Sequence, residues 1–376
     1  MSIKARHKTI TTKSPTYFIA DIAANHDGDL NRALQLIELA AEAGADAAKF
    51  QHFKAETIVS DVGFADLGQG LAHQKSWNKK VIDVYRDAEL PLIWTEKLKE
   101  KCDEVGVDFF SAIYDLDYLR VLSDFMPFFK VGSGDITWAH MLEQLAEYKK
   151  PIFLATGAST MSEVNQAMNI LLKRNISVCL MQCNTNYTGD DQNSNYANLM
   201  VLKKYRQTYP DIVLGLSDHT TTTTTTLGAV SLGATVIEKH FTDDRKRLGP
   251  DHSFSLDYKM WNEMVTAVRE LESSLGDGIK KVEKNETESQ IVQRRAARVN
   301  RNIELGHTIT LQDIVFLRPC PPGASTPFDV YNQESIVALG ALKKGESIPL
   351  NWLNLLKGYF TAVGKNPYMI QGLLNF

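Results

Sequence analysis

From Tyr17 to about Ser274 the chain alternates between short, almost unbroken apolar runs and longer stretches whose apolar residues recur every three or four positions. The short runs are Tyr17–Ala24, Ala45–Phe50, Val107–Ala112, Phe128–Val131, Ile152–Ala155, Val178–Gln182, Ile212–Leu216 and Ala234–Phe241. Each has the length and continuity of a strand buried on both faces. The longer stretches, such as Leu30–Ala43, Ser162–Lys173 and Asp257–Leu275, read as amphipathic helices. Eight strand–helix units over roughly 250 residues fit a closed (β/α)8 barrel better than an open doubly wound sheet. The connection from Gln51 to Asp108 is long enough for extra helices and a loop over the barrel mouth.

After Gly276-Asp277-Gly278 the pattern changes. Lys280–Gln290 is charged and polar, as in a solvated linker or an exposed helix. Beyond Arg294 a compact segment rich in Gly, Pro and short β-like runs follows, too small for a second catalytic core. The expected organisation is a leader over 1–16, a barrel over 17–275, a linker over 276–298, a small β-rich domain over 299–356 and a tail over 357–376. Within the Thr220–Thr226 run, Thr220 or Thr221 could cap the helix after strand seven. The plainer reading of that run is a β-branched helix start facing its neighbours.

Composition narrows the class. A chain of 376 residues with 44% apolar residues has ample material for a core. A formal charge of −4 argues against nucleic acid as the main partner. Cys102, Cys179, Cys183 and Cys320 show no CxxC and no framework spacing, so they read as reduced thiols. Met1 to Lys13 lacks an apolar stretch and no run approaches the length of a membrane span. A cytoplasmic protein with no membrane partner is expected.

Such barrels carry their chemistry at the carboxyl ends of the strands. Asp21, Asn25 and His26 follow strand one, and Lys49 and Gln51 end strand two. Strand four is followed by Lys130, Ser133 and Asp135; strand six by Gln182, Asn184, Thr185 and Tyr187. Strands seven and eight end in Ser217-Asp218-His219 and Glu238-Lys239-His240, with Gly249-Pro250-Asp251-His252 beyond. Two neutral imidazoles on neighbouring strands can hold a divalent metal. Two buried lysines are costly unless they meet an anion. Gly132 and Gly134 would let backbone N–H groups approach it. The set points to an anionic, phosphorylated substrate beside a metal ion. Each feature also has a plainer reading: a strand-end histidine can be a satisfied structural group, and Lys49 and Lys130 can pair with interior acids. Gly132-Ser133-Gly134 could equally be any tight turn.

Taken together, these segments resemble the N-acetylneuraminate (sialic acid) synthase family, which includes the legionaminic and pseudaminic acid synthases. The motifs are Ile19–Gly28 (IADIAANHDG), Ala47–Gln51 (AAKFQ), Lys130–Asp135 (KVGSGD), Ala155–Gly157 (ATG), Leu214–Thr220 (LGLSDHT), Val236–Phe241 (VIEKHF) and Gly249–Ser253 (GPDHS). The segment after Arg298 resembles the family's antifreeze-like (SAF) domain, including Gly306–Thr310 and Leu317–Pro319. The resemblance implies condensation of phosphoenolpyruvate with an open-chain N-acetylated hexosamine, such as N-acetylmannosamine or a diacetamido analogue. It implies Mn²⁺ or Mg²⁺ held by His219 and His240. Lys49, Lys130, Ser133, Thr185 and Ser217 would bind phosphoenolpyruvate. Gln51, Tyr187 and Asp251 would contact the sugar, and Arg318 would reach it from the partner subunit of a domain-swapped homodimer. Glu238 would orient a ligand or water.

The chain departs from that pattern at Asp21 and Asp135, where the family carries glutamate, and both remain candidate catalytic groups. Ala112 and Ala155 replace hydroxyl residues, and Thr188 stands where proline is common. Two rivals differ in class. A 3-deoxy-octulosonate phosphate synthase-like enzyme would take a phosphorylated aldose and lack the small domain; a non-catalytic barrel would only bind carbohydrate.

Overall fold

The structure is a computed structural model describing residues 1–67, 74, 77–331 and 333–353; the expected tail over 357–376 lies outside them. It divides into two compact units, Met1–Asp277 and Gly278–Phe376.

In the first unit all eight anticipated strands form and close into a parallel barrel. They are β1 (Tyr17–Asp21), β2 (Ala47–His52), β3 (Asp108–Ile113), β4 (Phe129–Val131), β5 (Ile152–Ala155), β6 (Val178–Cys183), β7 (Val213–Asp218) and β8 (Val236–His240). β8 pairs with β1 to seal the barrel. The apolar runs misplace some ends: β1 stops at Asp21, whereas β2 runs past Phe50 to His52. Ala23 lies at φ 45, which no strand sustains.

Helices start where local chemistry favours them. Asp29 caps Leu30–Glu42 by accepting from the Asn31 and Arg32 N–H groups, and Thr160 with Glu163 forms a capping box on Met161–Lys173. Asp257 caps Tyr258–Leu275. The threonine run differs from the capping expectation in which residue acts: its helix spans Thr224–Ser231, and the Thr222 hydroxyl, not that of Thr220 or Thr221, accepts the Thr224 N–H at 3.1 Å. The Asp218 carboxylate accepts from the Thr220 N–H and from the Thr220 and Thr225 hydroxyls.

The lower barrel is packed by aromatic rings, with Phe128 at 4.8 Å from Phe110, 4.5 Å from Phe153 and 6.2 Å from Tyr17. Gly215 belongs to this interior: a Cβ there would stand 3.0 Å from Met181 Cγ and 3.1 Å from the Val236 carbonyl. The expected leader is part of the unit. Ile3–Lys4 pairs antiparallel with Thr9–Ile10, and Ile3 and Ile10 join the main core. The Arg6 N–H donates to Asp108, which also accepts from the Tyr17 hydroxyl at 2.5 Å.

The long connection between β2 and β3 carries the helices Ala55–Ile58, Asp61–Asp66, Val81–Asp87 and Thr95–Val105. No helix among the described residues is long and apolar enough to cross a membrane.

The second unit starts with an exposed helix, Thr287–Gln293. Ala296–Val299 then pairs with Ile314–Leu317, and Thr308–Ile309 with Ile336–Val337. Its own core contains Ala297, Val299, Ile303, Ile309, Val330 and Ile348. Its strands thus begin three residues before the expected boundary at 299.

Candidate active site

Side chains alternate across a strand, so parity decides which of them enter the barrel. Asp21, Lys49, Gln51, Lys130, Ser217, Glu238 and His240 share the parity of the interior rings, and register places them side by side. Asp21 pairs with Lys49 on one side and His240 on the other, Glu238 with Ser217, and Lys130 with Ala112. Asp218 and Lys239 have the opposite parity and meet behind the wall, Nζ to Oδ2 at 2.5 Å, with Thr220 and Thr225 around them.

Inside, Asp21 Oδ2 accepts from Lys49 Nζ at 2.6 Å and Gln51 Nε2 at 3.3 Å, and lies 3.5 Å from His240 Nε2. Glu238 Oε1 accepts from the Ser217 hydroxyl at 3.0 Å and stands 3.4 Å from Lys130 Nζ and 4.0 Å from Lys49 Nζ. Each lysine therefore has an interior acid beside it, as the plainer reading of both had it. Burial opposes the Lys49 charge, but Asp21 and Glu238 outweigh it and raise its pKa. Two lysines facing two carboxylates leave this group with no net charge.

The imidazoles of His219 and His240 converge, ring centroids 5.4 Å apart. Burial and the nearby His219 and Lys49 charges hold His240 well below the usual range, hence neutral, and its Nδ1 has no hydrogen-bond partner. His219 Nδ1 lies 3.0 Å from the Asn184 carbonyl and 3.8 Å from Cys183 Sγ. Burial works against the His219 cation, yet the Cys183 sulfur outweighs it and raises the pKa; the thiol correspondingly falls. Tyr187 packs at 4.4 Å from the His219 ring, and Phe254 at 4.8 Å from that of His240.

Asp251 arrives from the loop after β8. Its Oδ2 accepts from the Ala24 N–H at 3.1 Å and lies 3.9 Å from His240 Nδ1. Burial, with Asp21 adding to it, pushes its carboxyl up to about 6. On the opposite side Ser133 accepts from the Gly157 N–H at 2.9 Å, and the Thr185 hydroxyl lies 3.6 Å from Cys183 Sγ. Gly157 is required there, because a Cβ would run into the Thr185 hydroxyl and come within 2.9 Å of Ser133 Oγ.

Asp135 follows in the turn Ser133–Asp135, with one carboxyl oxygen buried and unpaired. Burial pushes its pKa from 3.8 to about 6 against the pull of Lys130. Between those two values the folded chain holds a proton that the unfolded chain has lost, so this group's contribution to stability declines as pH rises through that window. Above it the buried carboxylate carries its full desolvation penalty. Asp135→Asn is accordingly expected to gain on the order of 2 kcal/mol over the parent at pH 8 and to lose that advantage as pH falls from about 6 to about 4. Urea unfolding across pH checks this; a pH-independent difference would contradict it.

Thirteen of the fourteen site residues anticipated from sequence belong to the barrel unit: Asp21, Lys49, Gln51, Lys130, Ser133, Asp135, Thr185, Tyr187, Ser217, His219, Glu238, His240 and Asp251. Arg318 lies in the second unit, exposed, just past the strand Ile314–Leu317. Sequence reasoning overlooked Cys183, Tyr114 and Phe254. Cys183 and Tyr114 were legible by parity, since Cys183 pairs with Ser217 and Tyr114 follows Ala112 by two. A Cβ on Gly132 would lie 2.8 Å from the Tyr114 hydroxyl.

Known proteins resemble this chain in sequence and fold. The NeuB family model matches residues 36–280. The chain is 32% identical to N,N'-diacetyllegionaminic acid synthase of Campylobacter jejuni, over 81% of this chain and 90% of that protein. It is 31% identical to N-acetylneuraminate-9-phosphate synthase of Mus musculus, over 89% and 92%. The solved N-acetylneuraminic acid synthetase of Leptospira borgpetersenii, crystallised with citrate, superimposes with a TM-score of 0.67 at 29% identity, over 77% of this chain and 95% of that one. With a matched model spanning most of the barrel and relatives above 30% identity over four-fifths of its length, this chain belongs to the NeuB family.

Proposed function

We propose that this chain is a nonulosonic acid synthase, joining carbon 3 of phosphoenolpyruvate to the aldehyde carbon of an open-chain N-acetylated amino sugar and releasing inorganic phosphate. The observation that carries the reading is the meeting of Lys49, Lys130 and Ser217 with Asp21, Glu238 and two facing imidazoles at one barrel mouth. The relatives' names agree on that reaction class and differ over the sugar, since the mouse product carries a 9-phosphate.

Lys49, Lys130, Ser133, Thr185 and Ser217 are the groups that would bind the phosphate and carboxylate of phosphoenolpyruvate. Because Asp21 and Glu238 already balance the lysines, a ligand this anionic calls for further positive charge. A divalent cation, Mn²⁺ or Mg²⁺, fits that need. His240 presents a neutral ring with an unpaired nitrogen, and Glu238 Oε2 is buried and unpaired. His219 and His240 would hold the ion; no third His, Cys, Asp or Glu among the described residues completes a ligand cluster with them. When bound, the ion supplies Lewis-acid polarisation of the aldehyde oxygen.

The π electrons of phosphoenolpyruvate form the carbon–carbon bond, and the aldehyde oxygen takes a proton, which the Asp251 carboxyl would supply. Water adds at carbon 2, held by the free oxygen of Glu238, and its proton leaves to a carboxylate. Collapse of the tetrahedral centre breaks the bond from carbon 2 to the phosphate oxygen and leaves the keto acid. Gln51 and Tyr187 would face the sugar, and Asp21 would hold Lys49 and His240 in place. Four free thiols accord with a cytoplasmic setting.

Phosphate release from phosphoenolpyruvate and Mn²⁺, with a panel of acetamido sugars, tests the proposal, the product being identified by mass. No turnover with any 2-acetamido or 2,4-diacetamido sugar would overturn it, and turnover with aldose phosphates alone would favour the octulosonate-type reaction. Arg318, in a domain-swapped homodimer, would reach the sugar bound to the partner subunit. Arg318→Ala is expected to raise the sugar KM about tenfold with little change for phosphoenolpyruvate; the reverse pattern refutes a sugar-facing role.

A further inference from the structure

The loop after β8 carries Asp251 to the imidazoles, and the residue next to it, His252, has no role in the synthase reading. His252 and Thr242 are fully buried. The ring bridges two loops: Nε2 lies 2.9 Å from Asp27 Oδ1, after β1, and Nδ1 lies 2.8 Å from the Thr242 hydroxyl, after β8. A carboxylate only accepts, so Nε2 carries the proton that Asp27 receives. Asp27 is fixed in turn, its second oxygen 3.1 Å from Arg32 Nε on the helix Leu30–Glu42. A Cβ on Gly249 would stand 2.7 Å from His252 Cδ2, so the loop lies flat against the ring. Asp251 is thereby held on both sides. Its carbonyl accepts from the Ser255 hydroxyl at 2.7 Å, and Ser255 accepts from Asn25 Nδ2 at 2.9 Å. None of Asp27, Thr242 and His252 lies in a barrel strand.

We propose that His252 is a positioning residue: by bridging Asp27 and Thr242 it keeps the Asp251 carboxyl 3.9 Å from the His240 ring, and it touches no substrate itself. This rests on the synthase reading above, in which Asp251 supplies a proton. A proton donor displaced by about an ångström can cost up to about a hundredfold in rate while leaving ground-state binding of the other substrate untouched. A bridge that merely held the loops together would act otherwise, lowering stability and weakening both substrates alike. The two roles also differ once the Asp251 carboxyl is gone, since a residue that acts only through it then has nothing left to place.

The test is steady-state kinetics of the full chain with phosphoenolpyruvate, Mn²⁺ and the acetamido sugar it turns over best. His252→Asn puts an amide near the place of Nδ1, keeping Thr242 and releasing Asp27; His252→Gln reaches the place of Nε2 and keeps Asp27. His252→Asn is expected to lower kcat about 30-fold with the phosphoenolpyruvate KM within about twofold, and His252→Gln to stay within about threefold of the parent. In an Asp251→Asn background, His252→Asn should change the remaining kcat by less than about twofold. Three results would each overturn the positioning role and leave the synthase reading standing. They are a parental kcat in His252→Asn, an equal loss in both variants with the phosphoenolpyruvate KM rising alongside, and effects that multiply in the double variant. Absence of turnover by the parent with every acetamido sugar would overturn both.

Discussion

Replacing His240 with alanine is expected to lower turnover by about a thousandfold or more with the barrel still folded. The ring is buried at the end of β8, held neutral by burial and by its positive neighbours, with Nδ1 unpaired. Nothing in the barrel uses that nitrogen to hold the fold together, so its removal takes away ring packing against Phe254 and Tyr187 and no backbone contact. The same substitution at His219 should act alike, although that ring also touches the Asn184 carbonyl and Cys183. Calorimetric Mn²⁺ titration of both variants separates lost ligation from lost packing. An unchanged Mn²⁺ affinity in both would remove the metal assignment, whatever happened to turnover.

The second large effect lies behind the wall. Lys239→Met leaves Asp218 buried with its strongest partner gone and should destabilise the chain by about 3–5 kcal/mol. Burial acts against both charges; the pair holds because the ammonium sits 2.5 Å from the carboxylate and the Thr220 and Thr225 hydroxyls fill the remaining positions. Adding Asp218→Asn should return a large part of the loss, since the uncompensated charge then disappears. Urea unfolding of the two singles and the double gives the coupling directly. A Lys239→Met protein as stable as its parent would show the pair to be structurally dispensable. Because these residues alternate with Ser217, His219, Glu238 and His240, the pair also anchors the two strands that carry the imidazoles.

How legible was this site in the chain? The eight barrel strands were, because continuous apolar runs between amphipathic helices leave few other arrangements. The strand-end residues followed from the same reasoning, but Glu238, Lys239 and His240 were read together there, and only the observed pairing of Lys239 with Asp218 behind the wall separates Lys239 from the other two. Other parts were not. Whether Lys49 and Lys130 wait for an anion or rest on acids depends on distances across the barrel, and the structure puts Asp21 and Glu238 beside them. Composition made Met1 to Lys13 look like a leader, but its two buried isoleucines complete the core at one end of the barrel. Threonines ahead of a helix suggest a cap, yet Thr220 turns its hydroxyl to the buried Asp218 carboxylate and leaves the Thr224 N–H to Thr222.

Tyr85 marks the limit most clearly. It stands between β2 and β3 in a connection without strand periodicity, and nothing local distinguishes it from the other tyrosines of the chain. Its ring packs on Phe53 and Trp77, and Phe53 in turn packs on Tyr114 after β3, contacts that local sequence does not announce. Periodicity and strand-end chemistry, which act over neighbouring residues, were sufficient for the barrel, the imidazole pair and the lysines, and the resemblance of the motifs supplied the family. Barrel closure, the pairing of charges across it and the placing of the long connection depend on contacts between residues far apart in the chain. Those contacts settled which charges are balanced and which ring nitrogen is left open.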